Sequence, residues 1–138
     1  MAKDEQVISK KAMIKGRDEL ILLADDNRLL RLVTEEILID LKFRVVSAVD
    51  GEDALELYQK HKNEISLVIL DIVMPKMNGL DAAVKIHQLD STMPVIFTTG
   101  QDKEGTLAAQ QKIRNSVVLN KPFSVERLSE TINQLLDL

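Results

Sequence analysis

Asp25, Asp26, Asp71, Thr99 and Lys121 are the residues whose types and placement could do chemistry together. Each sits at or just beyond the end of a short apolar run: LILLA before Asp25-Asp26, LVIL before Asp71, PVIFT before Thr99 and SVVLN before Lys121. If those runs are parallel strands, all four ends reach one rim of a sheet, where ligands of open α/β sheets bind. Three carboxylates gathered there repel one another, and left alone at least one should hold a proton well above its ordinary range. A hard divalent cation removes the conflict. Magnesium takes oxygen ligands, keeps some waters, and binds through one or two carboxylates plus a phosphate. The lysine supplies a point charge for that phosphate and the threonine a hydroxyl donor. An aspartate can itself attack phosphorus to give an acyl phosphate. The cation and the amine would then spread charge off the transferring group, which is most of what phosphoryl transfer requires.

The elements that must position these groups are legible in order. The organising stretch is SLVILDIVMPKMNG, residues 66–79. It reads as a buried strand over 67–71, ended by a carboxylate that is costly to bury unless paired. A loop punctuated by Pro75 and Asn78-Gly79 follows. Residues 20–24 form a second buried strand. From Asn27 the period changes, with Leu29, Val33, Ile37 and Leu41 on one helical face and Leu30 and Leu38 beside it. Residues 43–48 (FRVVSA) are a short strand, Asp50-Gly51 a turn, and Ala54, Leu57, Tyr58 and His61 the stripe of the next helix. Leu80, Ala83, Val84 and His87 mark another. Residues 94–99 form a fourth strand opened by proline. Residues 102–113 read as a weak helix with Gly105 inside, expected to be the loosest. Residues 116–120 are the fifth strand. Ser124 then caps a last helix with Glu126 in its first turn, and Val125, Leu128, Ile132, Leu135 and Leu136 make its stripe. Five strand–helix repeats predict a parallel sheet with helices on both faces and right-handed crossovers.

The totals narrow the field. A chain of 138 residues with 45% hydrophobic and 29% charged residues is ordinary globular composition for one domain. A net charge of −4 gives no global pull toward nucleic acid or an anionic membrane. With no cysteine, disulfides and thiolate metal sites are excluded, which fits a reducing cytoplasm. No apolar run is long enough to span a bilayer, and the first residues lack the apolar core of a signal peptide. Residues 1–18 are polar and mixed in charge, and read as a tail or linker, or as an extra helix that docks on the domain. Residues 19–138 then form the domain.

LLADD (22–26), DGEDALEL (50–57), LVILDIVMPKMNG (67–79), PVIFTTG (94–100) and LNKPF (119–123) stand in an order and spacing that resemble the receiver domain of two-component response regulators. The likeness covers residues 20–138, and is to chemotaxis-type single-domain members or to a receiver excised from a hybrid histidine kinase. It implies a flavodoxin-like sheet of order 2-1-3-4-5 and a phosphoacceptor module rather than an enzyme with a separate substrate. Position by position, it implies that Asp71 accepts a phosphoryl group from a histidine kinase or histidine phosphotransfer protein. Asp26 and Asp71 would bind Mg2+ directly, Asp25 through water, and Val73 through its backbone carbonyl. Thr99 and Lys121 would take phosphoryl oxygens, and the Lys121-Pro122 bond would be cis. The resemblance further implies a cytoplasmic monomer or weak dimer that switches a surface for an output protein, with no nucleic-acid or membrane partner. Val73 and Gln101, each two positions beyond a site residue, would flank the attacking water and set phosphoryl lifetime. Two positions depart from the pattern. Val118 stands where an aromatic switch residue is usual, and KIRN (112–115) stands where a Gly-Ala-Asp run is frequent.

Plainer readings stay open at each position. Asp25 or Asp26 can simply cap the first helix, Asp71 can be a turn residue, Thr99 an ordinary strand residue, and Lys121 a solvated lysine. His61, His87 and Tyr58 read as helix packing, and Gly79 as serving the turn. Three rival functions use the same elements. A haloacid-dehalogenase-like magnesium phosphatase would want a second aspartate at position 73, which is valine. A flavodoxin-like cofactor binder would want Ser, Thr or Gly where Asp25-Asp26 stand. A pseudo-receiver would bind partners without phosphorylation.

Overall fold

The computed structural model describes residues 15–100 and 103–138. Five strands, β1 (Leu20–Ala24), β2 (Arg44–Ala48), β3 (Ile65–Asp71), β4 (Val95–Thr99) and β5 (Ser116–Asn120), alternate with five helices. The helices are α1 (Arg28–Asp40), α2 (Gly51–His61), α3 (Gly79–Leu89), α4 (Lys103–Lys112) and α5 (Val125–Leu136). The strands form one sheet in the order β2-β1-β3-β4-β5, with every neighbouring pair parallel. This is the doubly wound, flavodoxin-like arrangement, and its strand order reverses between β1 and β3.

The strand positions follow from burial. In β1 and β4 every residue is buried, and in the longer β3 all but Ser66 are. These central strands therefore carry near-continuous apolar runs, whereas the edge strands β2 and β5 are only partly covered. Alternate residues feed two cores. On one face Leu22, Val68, Leu70 and Phe97 pack with Tyr58 of α2 and Ile86 of α3. On the other, Ile21, Leu23, Ile69 and Ile96 pack with Leu38 of α1 and Leu128 and Ile132 of α5. Strand ends move by small steps from the sequence reading. β4 starts at Val95 because Pro94 has no N–H for the ladder, although its carbonyl still accepts from Val68. β2 starts at Arg44, since the Phe43 N–H closes onto Leu38 at the end of α1.

Short polar side chains fix where the helices begin. Asn27, Asp50, Asn78 and Ser124 each accept from a backbone N–H in the first turn of α1, α2, α3 and α5. Asp50 is thus a cap rather than a free turn residue, and neither Asp25 nor Asp26 caps α1. The predicted stripe of α1 is also corrected. The helix buries Thr34 and Leu38, followed by Leu41 at its C-cap, while Leu29 is 71% and Val33 47% exposed. Thr34 tolerates burial because its hydroxyl donates to the Leu30 carbonyl at 2.8 Å. The chain ahead of β1 is already tied down: Gly16 and Asp18 donate to the carbonyls of Leu41 and Lys42.

Gly79 opens α3 directly behind the end of β3. Its N–H donates to the Ile72 carbonyl, and a Cβ there would lie 2.2 Å from the Asp71 carbonyl oxygen. Backbone cannot yield cheaply to such an overlap. Gly79→Ala is expected to cost about 2 kcal/mol of stability, the usual scale for forced overpacking. Gly100→Ala, where a Cβ meets nothing within 4 Å, is expected to stay within about 0.5 kcal/mol of wild type. Urea unfolding of both variants makes the comparison, and equal losses would contradict the packing assigned to Gly79.

Candidate functional site

The switch point brings the candidate residues together. Ala24 at the end of β1 pairs with Leu70 of β3, so the next residue of each chain, Asp25 and Asp71, stand side by side. Asp71 pairs with Thr98 of β4, and Thr99 pairs with Asn120 of β5. Lys121 follows, its N–H donating to the Thr99 carbonyl at 2.7 Å. Its side chain reaches back across the rim, and the Nζ donates to Asp25 Oδ2 and to Asp71 Oδ2, each at 3.1 Å. Asp25 and Asp71 are buried and Asp26 is exposed. One carboxylate oxygen from each of the three lies within 4.8 Å of the others.

The electrostatics reflect this crowding. Burial holds the Asp71 carboxyl above its ordinary range. The Lys121 hydrogen bond and charge pull it back, while Asp25 and Asp26 push it further up. Burial alone would lower the Lys121 ammonium, but its hydrogen bonds and charge interactions with Asp71 and Asp25 prevail and hold it above the usual lysine value. One cation thus serves two buried anions, with a third anion at the mouth. Three carboxylates with oxygens this close fit a hard, oxygen-seeking divalent cation, and these are the residues that could hold one.

Thr99 is buried at the tip of β4. Val73 lies two residues past Asp71 in the following loop, with its side chain 62% exposed. The Lys121-Pro122 peptide bond is cis. Val118 is half-buried opposite Phe97 in the β4–β5 pair. Gln101 lies outside the described residues. His61 and His87 stay away from the rim: one faces Glu64 at 3.6 Å, and the other bonds the Met93 carbonyl at 2.8 Å.

The sequence reading missed the group that aims Asp25. Asn27 N–H donates to Asp25 Oδ1 at 2.9 Å, and Arg31 Nη1 donates to the Asp25 carbonyl at 2.8 Å. Asp25 is therefore clamped through one carboxylate oxygen, leaving the other for Lys121. The signal was faint. Arg31 sits in α1 six residues after Asp25, a spacing that many unrelated arginines share.

A doubly wound parallel sheet with a lysine-bridged carboxylate cluster at its switch point defines the class: a flavodoxin-like α/β protein with three carboxylates that could hold a cation. Comparison with known proteins gives the family. A model of the response regulator receiver domain matches residues 21–133, and the chain belongs to that family, a module of two-component signalling. It is 33% identical over 120 residues to the chemotaxis protein CheY of Bacillus subtilis, covering 85% of this chain and 97% of CheY. It is 36% identical over 116 residues to the transcriptional regulatory protein CpxR of Escherichia coli, covering 84% of this chain. The match spans about half of CpxR, 48% of its length, and 15% of the sensor kinase/phosphatase LuxN of Vibrio campbellii. Among solved structures, a response regulator receiver domain protein from Clostridium thermocellum superposes with a TM-score of 0.81 at 27% identity, covering 86% of this chain and 94% of that one.

The strained carboxylate makes a stability prediction. Asp71 is held above its unfolded value, so the fold favours its protonated form. Its ionisation costs stability fully above the folded pKa, and that cost vanishes below the unfolded value near 3.8. Asp71→Asn is therefore expected to raise the midpoint of the metal-free protein at pH 7. The gain should shrink as pH falls toward 4. Thermal unfolding at the two pH values checks this, and a destabilised or pH-independent variant would contradict it.

Proposed function

We propose that Asp71 is the phosphoacceptor of this receiver and that Asp25, Asp26, Thr99 and Lys121 make its transfer site. One observation carries the reading: Lys121, 50 residues beyond Asp71 in sequence, spans Asp25 and Asp71 in a cluster that also holds Asp26. A solvated lysine or a turn aspartate would not be buried in such a contact. In the proposed reaction a carboxylate oxygen of Asp71 attacks the phosphorus of a phosphohistidine. The new O–P bond forms as the P–N bond breaks, and the imidazole leaves with its electron pair and takes up a proton. Asp25, Asp26, Asp71 and the Val73 carbonyl would hold Mg2+, which when bound supplies positive charge for the phosphoryl oxygens. Lys121, already aimed at the Asp71 carboxylate, would follow its transferred charge onto a phosphoryl oxygen, and the Thr99 hydroxyl would donate to another. Phosphorylation adds about −1.5 to −2 charges to a rim already crowded with anions. The new pairing biases the loops after β3 and β4 between two arrangements, a population shift rather than a new fold.

The donor we propose is a histidine kinase or a histidine phosphotransfer protein, and the setting a cytoplasm. The chain would act as a monomer or weak dimer that presents a switched surface to an output protein. Among the described residues no helix is long and apolar enough to cross a membrane. An exposed Val73 stands where a phosphatase of the haloacid-dehalogenase type would need its general acid.

Incubation with a small acyl phosphate and Mg2+, followed by intact mass, tests the assignment. Wild type is expected to gain one phosphoryl group, Lys121→Met to gain it at least tenfold more slowly, a loss of about 1.4 kcal/mol of transition-state stabilisation, and Asp71→Asn to gain none. A label that survives Asp71→Asn would mean a different acceptor. A wild type that never labels would favour the phosphorylation-independent module.

A further inference from the structure

Asp26 is the least restrained of the three acids. Asp25 Oδ1 accepts from the Asn27 N–H at 2.9 Å, and Asp25 Oδ2 and Asp71 Oδ2 each accept from Lys121. The Asp26 side chain is exposed, and among the described residues its carboxylate makes no hydrogen bond and no ion pair. One of its oxygens nevertheless lies within 4.8 Å of an oxygen of each of the other two. No side-chain contact holds it there, so the backbone beneath it must.

The Asp25 carbonyl belongs to the peptide that joins Asp25 to Asp26. That unit is planar, so whatever fixes the carbonyl fixes the direction in which Asp26 leaves it. Arg31 supplies the hold: its Nη1 donates to the Asp25 carbonyl at 2.8 Å. The reach follows from the helix. Arg31 lies near the start of α1, just after the Asn27 cap, and helical side chains lean toward the helix N-terminus, which here means back over the end of β1. Arg31 is half-buried and makes no ion pair among the described residues. Its choice of acceptor matters. A guanidinium on a carboxylate would occupy the oxygens that a cation needs and offset their charge. On a carbonyl it leaves every carboxylate oxygen of the cluster untouched.

On the reading that Asp25, Asp26 and Asp71 hold a divalent cation, we propose that Arg31 is the positioning residue of that site. It orients the Asp25–Asp26 peptide so that the unpaired Asp26 carboxylate meets the other two. Arg31 acts on a cation in two opposed ways: its charge repels the ion, and its hydrogen bond places a ligand for it. Solvent and salt screen the charge of a partly exposed side chain. Loss of a group that orients a metal ligand costs about 10- to 100-fold in affinity, so the positioning effect prevails.

Calorimetric titration of the metal-free, full-length protein with Mg2+ tests this. Arg31→Met keeps the stem and removes the charge and the donors, and is expected to weaken binding by about tenfold or more. Arg31→Lys returns a charged donor on a similar stem and is expected to recover most of the loss. Arg28→Met removes a charge from the exposed first residue of α1 and is expected to bind no more weakly than wild type. Amide signals of Arg31→Met are expected to move at Asp26 and Asn27 and to stay in place at Leu38 and Leu128 in the core. If Arg31→Met binds as tightly as wild type, or more tightly, only repulsion was at work; the proposal fails and the cation site stands. Signals that move throughout the core, or no recovery in Arg31→Lys, reduce Arg31 to a structural contact and overturn the proposal too. A wild type that binds no Mg2+ removes the cation site itself, and the proposal with it.

Discussion

The ammonium of Lys121, held 3.1 Å from each of two buried aspartates, is the contact on which the rest of this structure depends. Two carboxylates side by side at the end of a low-dielectric sheet repel strongly, and each carries a desolvation cost besides. The lysine offsets both, without eliminating either: Asp71 remains above its ordinary range despite its partner. The site is therefore stressed by construction. A cluster with an unmet demand for positive charge could hold a divalent cation.

The fold exists, in this sense, to deliver five strand ends to one rim. Parallel pairing sends every C-terminal end the same way, and the reversal between β1 and β3 opens a crevice there. Residues 46 and 96 positions apart along the chain, Asp71 and Lys121 from Asp25, meet because each ends or follows a strand of the same sheet. Gly79, packed against the Asp71 carbonyl, and Arg31, bonded to the Asp25 carbonyl, hold the backbone of the two acids from behind. The positions of the two acids are consequently set by the core.

Most of this was legible in the chain alone, for a physical reason. Central parallel strands are buried on both faces, so their apolar runs need no periodicity to be seen, and polar residues at their tips stand out. The N-caps were harder. Asp25 and Asp26 look as good as Asn27 at the start of α1, and only the structure shows that Asp25 spends its oxygens on Asn27 and Lys121. The stripe of α1 misled because its apolar residues occupy more of the helix than the core can cover. Sequence counts Leu29 and Val33 as buried, whereas the core takes Thr34, Leu38 and Leu41 and part of Ile37. Val118 shows the opposite case: the departure from the family pattern is plain in sequence, and in the structure the position simply packs beside the fully buried Phe97.

The central claim is that Asp25, Asp26 and Asp71 form one cation site for which Lys121 stands in. Thermal unfolding with increasing Mg2+ tests it most directly, because an ion that binds only the folded state raises the midpoint by an amount set by its concentration over its dissociation constant. The account predicts that saturating Mg2+ raises the midpoint of the wild type and that Asp26→Asn abolishes the rise. An equal rise in both proteins, or none in the wild type, would contradict it.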